Sequence, residues 1–198
     1  FTPTEIAGLE LWLDAADSST ITTTSVGRVS QWSDKSGKDK HATQTADASR
    51  PMYVSSVTNG LPGIHFDSMF LNTACVPATG ANPRTLIAVV ANIGQNGINY
   101  EHVLHYGASS TDQAFGICSR VSGTYVWGNH YWSSGFNTGV SSISGGGWIV
   151  ISDHNAGVNS FYINGQPPKT NTKTLNTSST VGVRIGAHVS SGEMAEFD

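Results

Sequence analysis

Hydrophobic and polar positions alternate over short stretches along most of the chain, with turn residues between them, and Trp148 to Gly165 shows the pattern most clearly. Side chains along a strand point alternately to its two faces, so Ile149 and Ile151 share one face, and Phe161 and Ile163 share one face. The pattern predicts two strands whose apolar faces define the inside. They are joined at Asn155-Ala156-Gly157, where residues tolerate positive φ, and closed by Asn164-Gly165, the dipeptide best suited to a type I′ turn. Earlier in the chain, Thr2-Pro3-Thr4-Glu5 predicts a short helical turn, with a hydroxyl to cap it and proline in its first position. Leu9, Leu11 and Leu13 then alternate with Glu10, Trp12 and Asp14 as in a half-buried strand. Val29 to Trp32, Pro51 to Val54, Ile64 to Asp67, His102 to Tyr106, Ala114 to Cys118 and Tyr125 to Trp127 predict further strands. Thr85 to Ala91 is apolar on both faces, which predicts a central strand covered on both sides. Asn129 to Gly147 reads as a long loop rich in Gly and Ser that carries His130, Tyr131, Trp132 and Phe136. Pro167-Pro168 confines the next short strand to an edge, because proline supplies no ladder donor. Val181, Val183 and Ile185 line the penultimate strand, and Met194 to Phe197 begin the last.

About a dozen short strands with turn signals between them and no long helical period predict an all-β, two-sheet antiparallel sandwich of jelly-roll type. The length of 198 residues suits a single domain spanning 1–198, and a domain of this size buries about 70% of its unfolded surface. A net charge of −4 with only 12% charged residues is too weak, and of the wrong sign, for a nucleic-acid partner. No window approaches the roughly 20 apolar residues of a membrane span, so no membrane insertion is expected. The chain opens on Phe1 and stops at Asp198 inside an expected strand, so it is expected to be processed or to belong to something longer. Cys75 and Cys118 allow a disulfide, but two free, partly buried thiols are the expected state in a domain with an adequate core.

The residues also carry a resemblance. Gly8-Leu9-Glu10-Leu11-Trp12-Leu13-Asp14-Ala15-Ala16-Asp17, then Val29 to Gly37, then His41-Ala42-Thr43-Gln44 resemble the opening of concanavalin A-like, laminin-G-like jelly-roll domains of phage virion and bacterial glycan-binding proteins. Trp148 to Gly165 is similar to that family's tryptophan-led strand and the following strand ending in Asn-Gly. Arg184-Ile185-Gly186 with Gly192-Glu193-Met194-Ala195-Glu196 is similar to its closing segment. The resemblance implies two antiparallel sheets, one concave, with ligands on the concave face or the loop rim. It does not imply one function, because sites are grafted onto such folds. The last strand is shorter here than the family pattern.

Glycan hydrolysis needs two carboxyl groups about 5 to 10 Å apart, one with a raised pKa. The chain has five glutamates, Glu5, Glu10, Glu101, Glu193 and Glu196. The Glu-x-Asp-x-x-Glu strand of laminarinase-type sandwiches is absent, and Glu193 and Glu196, three apart, would face opposite ways on a strand. No Gly-x-Ser-x-Gly elbow accompanies the seven histidines. His102 and His105 have the look of a metal pair, but their strand spacing separates them, and they read as surface or satisfied core histidines. Asp14, Asp17 and Asp67 are hard oxygen donors at strand ends and make calcium the candidate cofactor, while an aspartate beside Ser-Ser-Thr also reads as a turn or capping residue. Tyr125, Trp127, His130, Tyr131 and Trp132 form an aromatic cluster suited to stack on the apolar face of a sugar ring. Trp127 also reads as core, and Tyr131 and Trp132 as loop residues that contact something outside the domain. Trp12, Trp32 and Trp148 read as framework. The functional expectation is a non-enzymatic virion domain, of capsid-decoration or tail-fibre type, that meets other virion subunits or copies of itself and a host-surface glycan. A carbohydrate-binding module of a secreted bacterial protein is the alternative.

Overall fold

A computed structural model describes residues 2–94, 100–121, 123–143, 146–190, 194 and 196–198. Among the described residues, three short 3-10 helices, Pro3–Glu5, Ser18–Thr20 and Asp47–Ser49, accompany sixteen strands. In chain order these are β1 (Ile21–Thr23), β2 (Val29–Trp32), β3 (Ala42–Thr43), β4 (Met52–Thr58), β5 (Leu61–Asp67), β6 (Leu71–Asn72), β7 (Arg84–Val90) and β8 (Glu101–Gly107). They continue as β9 (Ala114–Arg120), β10 (Val126–His130), β11 (Gly135–Ser141), β12 (Trp148–Asn155), β13 (Val158–Ile163), β14 (Lys169–Thr172), β15 (Val181–Ile185) and β16 (Glu196–Phe197). Every named pairing is antiparallel.

Nine strands form one sheet in the order β1-β2-β3-β6-β15-β8-β9-β10-β11, four form β14-β13-β12-β7, and three form β16-β5-β4. Past the end of β7, the Ala91 N–H donates to the Asp198 carbonyl (2.8 Å) and the Gly94 N–H to the Glu196 carbonyl (2.7 Å). These bonds tie the two smaller sheets into one layer facing the nine-stranded sheet. The core between the layers takes Tyr106, Phe115, Ile117 and Trp127 from the large sheet, Val150, Phe161 and Ile163 from the four-stranded sheet, and Ile64 and Phe66 from the three-stranded one. Trp127 meets Trp148 edge-on at 5.7 Å, and Phe66 stacks on Phe197 at 4.7 Å. The all-β antiparallel sandwich expected from the sequence is therefore the observed architecture. Cys75 and Cys118 are both buried, and Cys75 is free.

Several local expectations are corrected. The hairpin at 148–163 forms with Ala156 and Gly157 in its turn, at φ 49° and 79°. Its inner face, however, carries Val150, Ser152 and His154 opposite Ile163, Phe161 and Asn159. Ile149 is 53% exposed and points outward. Strand β12 is apolar on both faces, so its alternation did not identify the buried side. The register with β13 decides it, because Phe161 can reach only one layer. β7 is likewise covered on one face only: Leu86 and Val90 are buried, whereas Ile87 and Val89 are 57% and 74% exposed. Leu9 to Asp14 runs alongside the domain outside any ladder. There the Trp12 N–H donates to an Asp34 carboxylate oxygen (3.0 Å), a side chain standing in for a neighbouring strand. The expected loop from Asn129 contains the end of β10 and all of β11. β11 is the edge of its sheet and needs few apolar residues, so its Gly- and Ser-rich sequence reads as loop. The turn that Gly94 and Gly97 predict lies mostly outside the described residues.

Candidate functional site

The second face of β8, β9 and β10, turned away from the inter-sheet core, is buried as well, and it carries histidine. His102 and His105 come from β8, His130 from the end of β10, and His188 from the connection after β15. Their candidate donor nitrogens all lie within 4.8 Å of one another, and all four side chains are buried.

Three local devices assemble the group. A regular strand would turn His102 and His105, three residues apart, to opposite faces. In β8 the register shifts between His102 and Leu104, so His102 sits opposite Cys118 while Leu104 sits opposite Ile117. The extra residue is Val103, which packs into the main core. A β-bulge of this kind re-aims the side chains that follow it, and it puts both histidines on the same face. Gly116 is the second device: it lies between His105 on β8 and His130 on β10. A Cβ there would strike the His105 ring and come within 2.5 Å of the Leu104 carbonyl oxygen, so glycine leaves the space in which the rings meet. The third device places His188. Its carbonyl accepts from the Arg184 guanidinium (3.1 Å), and its Nδ1 lies 2.8 Å from the Ser190 hydroxyl.

The rings pack closely: His102 lies 4.6 Å from His105 and 4.9 Å from His188, and His105 lies 4.6 Å from His188. His102 Nε2 and His130 Nδ1 are 2.9 Å apart. Both ring nitrogens of His105 and Nε2 of His188 are buried without a hydrogen-bond partner. Burial, followed by the neighbouring His102, His188 and His130, holds His105 well below the ordinary imidazole range. The His130 carbonyl pulls the other way without forming a hydrogen bond of ordinary geometry. Burial, reinforced by His188, brings His130 down to about 3, and burial, reinforced by Arg184, brings His188 down to about 4. These imidazoles are thus neutral near pH 7, the form that can donate a lone pair to a metal. Tyr100 stacks on His130 at 4.0 Å and Trp132 lies over His188 at 4.5 Å, closing the group from outside.

The aromatic cluster expected from the sequence is dispersed over these surroundings. Trp127 and Tyr131 lie in the inter-sheet core, Trp127 with no exposed surface and Tyr131 1% exposed. Tyr131 stacks near Phe115 at 6.1 Å, and His130 belongs to the histidine group. Tyr125 lies under the Arg120 guanidinium at 4.6 Å. It is separated from Trp132 by the length of β10, roughly 16 Å at the usual strand rise. Trp132 is a half-exposed ring at a loop tip, and Tyr125 is half-exposed before β10. Asp14 and Asp17 do come together, on Lys35: their carboxylates lie 2.9 and 2.8 Å from its Nζ. The lysine ammonium holds the place between them that a cation would take. Asp17 also accepts from the Ser19 backbone and hydroxyl, as a turn residue does. Asp67 lies elsewhere, at the end of β5 opposite Glu196. Glu193 lies outside the described residues.

No protein-family model matches the chain, and no curated protein matches it. Among solved structures, the chain is similar to a GH54 α-L-arabinofuranosidase soaked with 4-nitrophenyl α-L-arabinofuranoside, with a TM-score of 0.66 and 12% identity over 86% of this chain and 45% of that one. It is also similar to an arabinofuranosidase complexed with arabinofuranosyl-α-1,2-xylobiose, with a TM-score of 0.63 and 13% identity over the same shares. The enzymatically active domain of bacteriophage CBA120 tailspike protein 2 aligns with a TM-score of 0.44 and 16% identity over 74% of this chain and 26% of that one. The chain thus spans less than half the length of the structures it resembles. At such identities the likeness shows the fold, an all-β sandwich.

Proposed function

We propose that this chain is a non-catalytic β-sandwich module of an extracellular particle, of virion-appendage type, that meets neighbouring subunits and stacks on a surface glycan through the turn at Trp132. The observation that carries the reading is the turn itself. Trp132 and Ser133 both hold left-handed backbone, at φ 71° and 56°, and the Tyr131 N–H donates to the Ser134 carbonyl across them (2.9 Å). Such a turn suits Asn-Gly, and keeping it with Trp-Ser costs roughly 1 to 2 kcal/mol per residue. Strain of this sort is retained where a side chain must be presented, and an indole face is a good partner for the CH face of a sugar.

Glu10, Asp17 and Glu101 fit a binding role better than a hydrolytic one. Hydrogen bonding and ion pairing hold Glu10 and Asp17 below the usual carboxylate range, through Lys40 and Lys35 first, whereas a glycosidase acid needs a raised pKa. Glu101 has no exposed surface and is out of reach of a polysaccharide. A glycan array probed with the purified chain is expected to show binding that Trp132→Ala abolishes while the thermal transition is retained. A blank array would refute the glycan contact. Release of reducing ends from arabinan, xylan or laminarin would refute the non-catalytic reading, and electron microscopy of purified particles lacking the domain would refute the virion placement.

A further inference from the structure

We propose that His102, His105, His130 and His188 form a closed site for one borderline transition-metal cation of the Zn2+ class, which staples β8, β10 and the connection after β15 on the outer face of the large sheet. The inference does not depend on the glycan reading.

Four imidazoles from three separate segments converge within 4.8 Å, all of them buried. Convergence of this kind has a cost unless something occupies it. His105 buries two ring nitrogens, and His188 one, without hydrogen bonds, and a buried polar atom left without a partner is destabilising. A cation at the centre supplies a partner for a lone pair from each ring. Metal-to-nitrogen distances of about 2.1 Å place neighbouring tetrahedral donors about 3.4 Å apart. The separation of 2.9 Å between His102 Nε2 and His130 Nδ1 and the outer limit of 4.8 Å bracket that value, so closure requires shifts of side-chain scale only.

The donor type selects the ion. Four imidazole nitrogens suit Zn2+, Cu2+, Ni2+ or Co2+, whereas Ca2+ and Mg2+ take oxygen. Four protein ligands with no open position are the mark of a structural rather than a catalytic site. The surroundings fit that role: Trp132 and Tyr100 cover the rings from outside. Ser190 fixes the His188 ring from the other side: its backbone N–H donates to Nδ1 (3.1 Å) and its hydroxyl lies 2.8 Å from the same nitrogen, so Nε2 is the ring nitrogen without a partner. The Gly116 gap and the β8 bulge are then explained together, since each is needed to bring two of the four rings into reach.

The test uses the whole chain, stripped with a chelator and titrated with ZnCl2, CoCl2 or CaCl2. One equivalent of Zn2+ is expected to bind, raising the melting temperature by about 5 to 10 °C at a hundredfold excess over Kd. Co2+ is expected to give the intense visible bands of four-coordinate nitrogen ligation, and Ca2+ neither effect. His188→Gln and His105→Gln are each expected to weaken Zn2+ binding at least 100-fold, while His154→Gln, which changes a buried histidine outside the group, leaves it unchanged. The Co2+ spectrum is read on the unaltered chain, so it tests the site even if a variant fails to fold. Absence of stoichiometric Zn2+ and Co2+ binding, or binding undiminished in His188→Gln, would overturn the proposal.

Discussion

Asp34 shows how one side chain can replace a strand. Its carboxylate accepts from the backbone N–H groups of Trp12 (3.0 Å), Ser36 (2.8 Å) and Lys40 (3.1 Å), and from the Ser36 hydroxyl (2.7 Å). Burial alone would push this carboxyl up, but the hydrogen bonds from Trp12, Ser36 and Lys40 more than reverse the effect and hold it below the usual range. A depressed folded pKa means that the stabilisation is present above the unfolded value of about 3.9 and is lost as pH falls through the folded value. Asp34→Ala leaves three backbone donors without their acceptor and is expected to cost about 3 kcal/mol at pH 7. Urea denaturation of both proteins at pH 7 and below pH 3 checks this, since the gap should narrow in acid. An unchanged gap would show that the carboxylate's charge contributes nothing.

At the scale of the element, the β12–β13 hairpin separates alternation from burial. Phe161 has no exposed surface, while Ile149 projects from the other side of the ladder. Phe161→Ala is expected to cost about 3 to 5 kcal/mol through lost transfer energy and the cavity left behind. Ile149→Thr, a β-branched replacement on the solvent face, is expected to stay within about 0.5 kcal/mol. Chemical denaturation of the two variants distinguishes this register from the one in which Ile149 faces inward, where the second change would be the damaging one. β8 makes the complementary point: its apolar residues mark it as a strand, but the bulge at Val103 alters which side chains share a face, and no residue type in the stretch announces it.

For the molecule as a whole, burial covers both cysteines in separate clusters: Cys75 in the main core, near the Glu10 carbonyl (3.7 Å), and Cys118 on β9, packed with Val121 and Val126. Burial first, and the nearby Glu10 and Asp34 charges after it, raise the Cys75 thiol to about 11 against the pull of Lys40. Reaction needs the thiolate, so an aromatic disulfide reagent at pH 8 is expected to modify neither cysteine in the folded chain and both in 6 M guanidinium. Rapid modification of the native protein would contradict the burial of these sites.

Sequence alone settled the class of structure and most of the strand positions, because period-two alternation and turn chemistry are local properties. Ile64 with Phe66, Val183 with Ile185, the edge placement after Pro167-Pro168 and the turn at Ala156-Gly157 were all legible for that reason. Alternation could not say which face of β7 or β12 is buried, since both faces there are apolar and only the opposing layer breaks the tie. Nor could it find the histidine group. Its members are spread from residue 102 to residue 188, and the one pair close in sequence looked separated until the bulge altered the count. A glycine at 116 leaves room for rings that the chain brings from elsewhere, and only the pairing of β8, β9 and β10 reveals what that glycine is for. Local spacing determined the strands, and long-range register decided what they bring together.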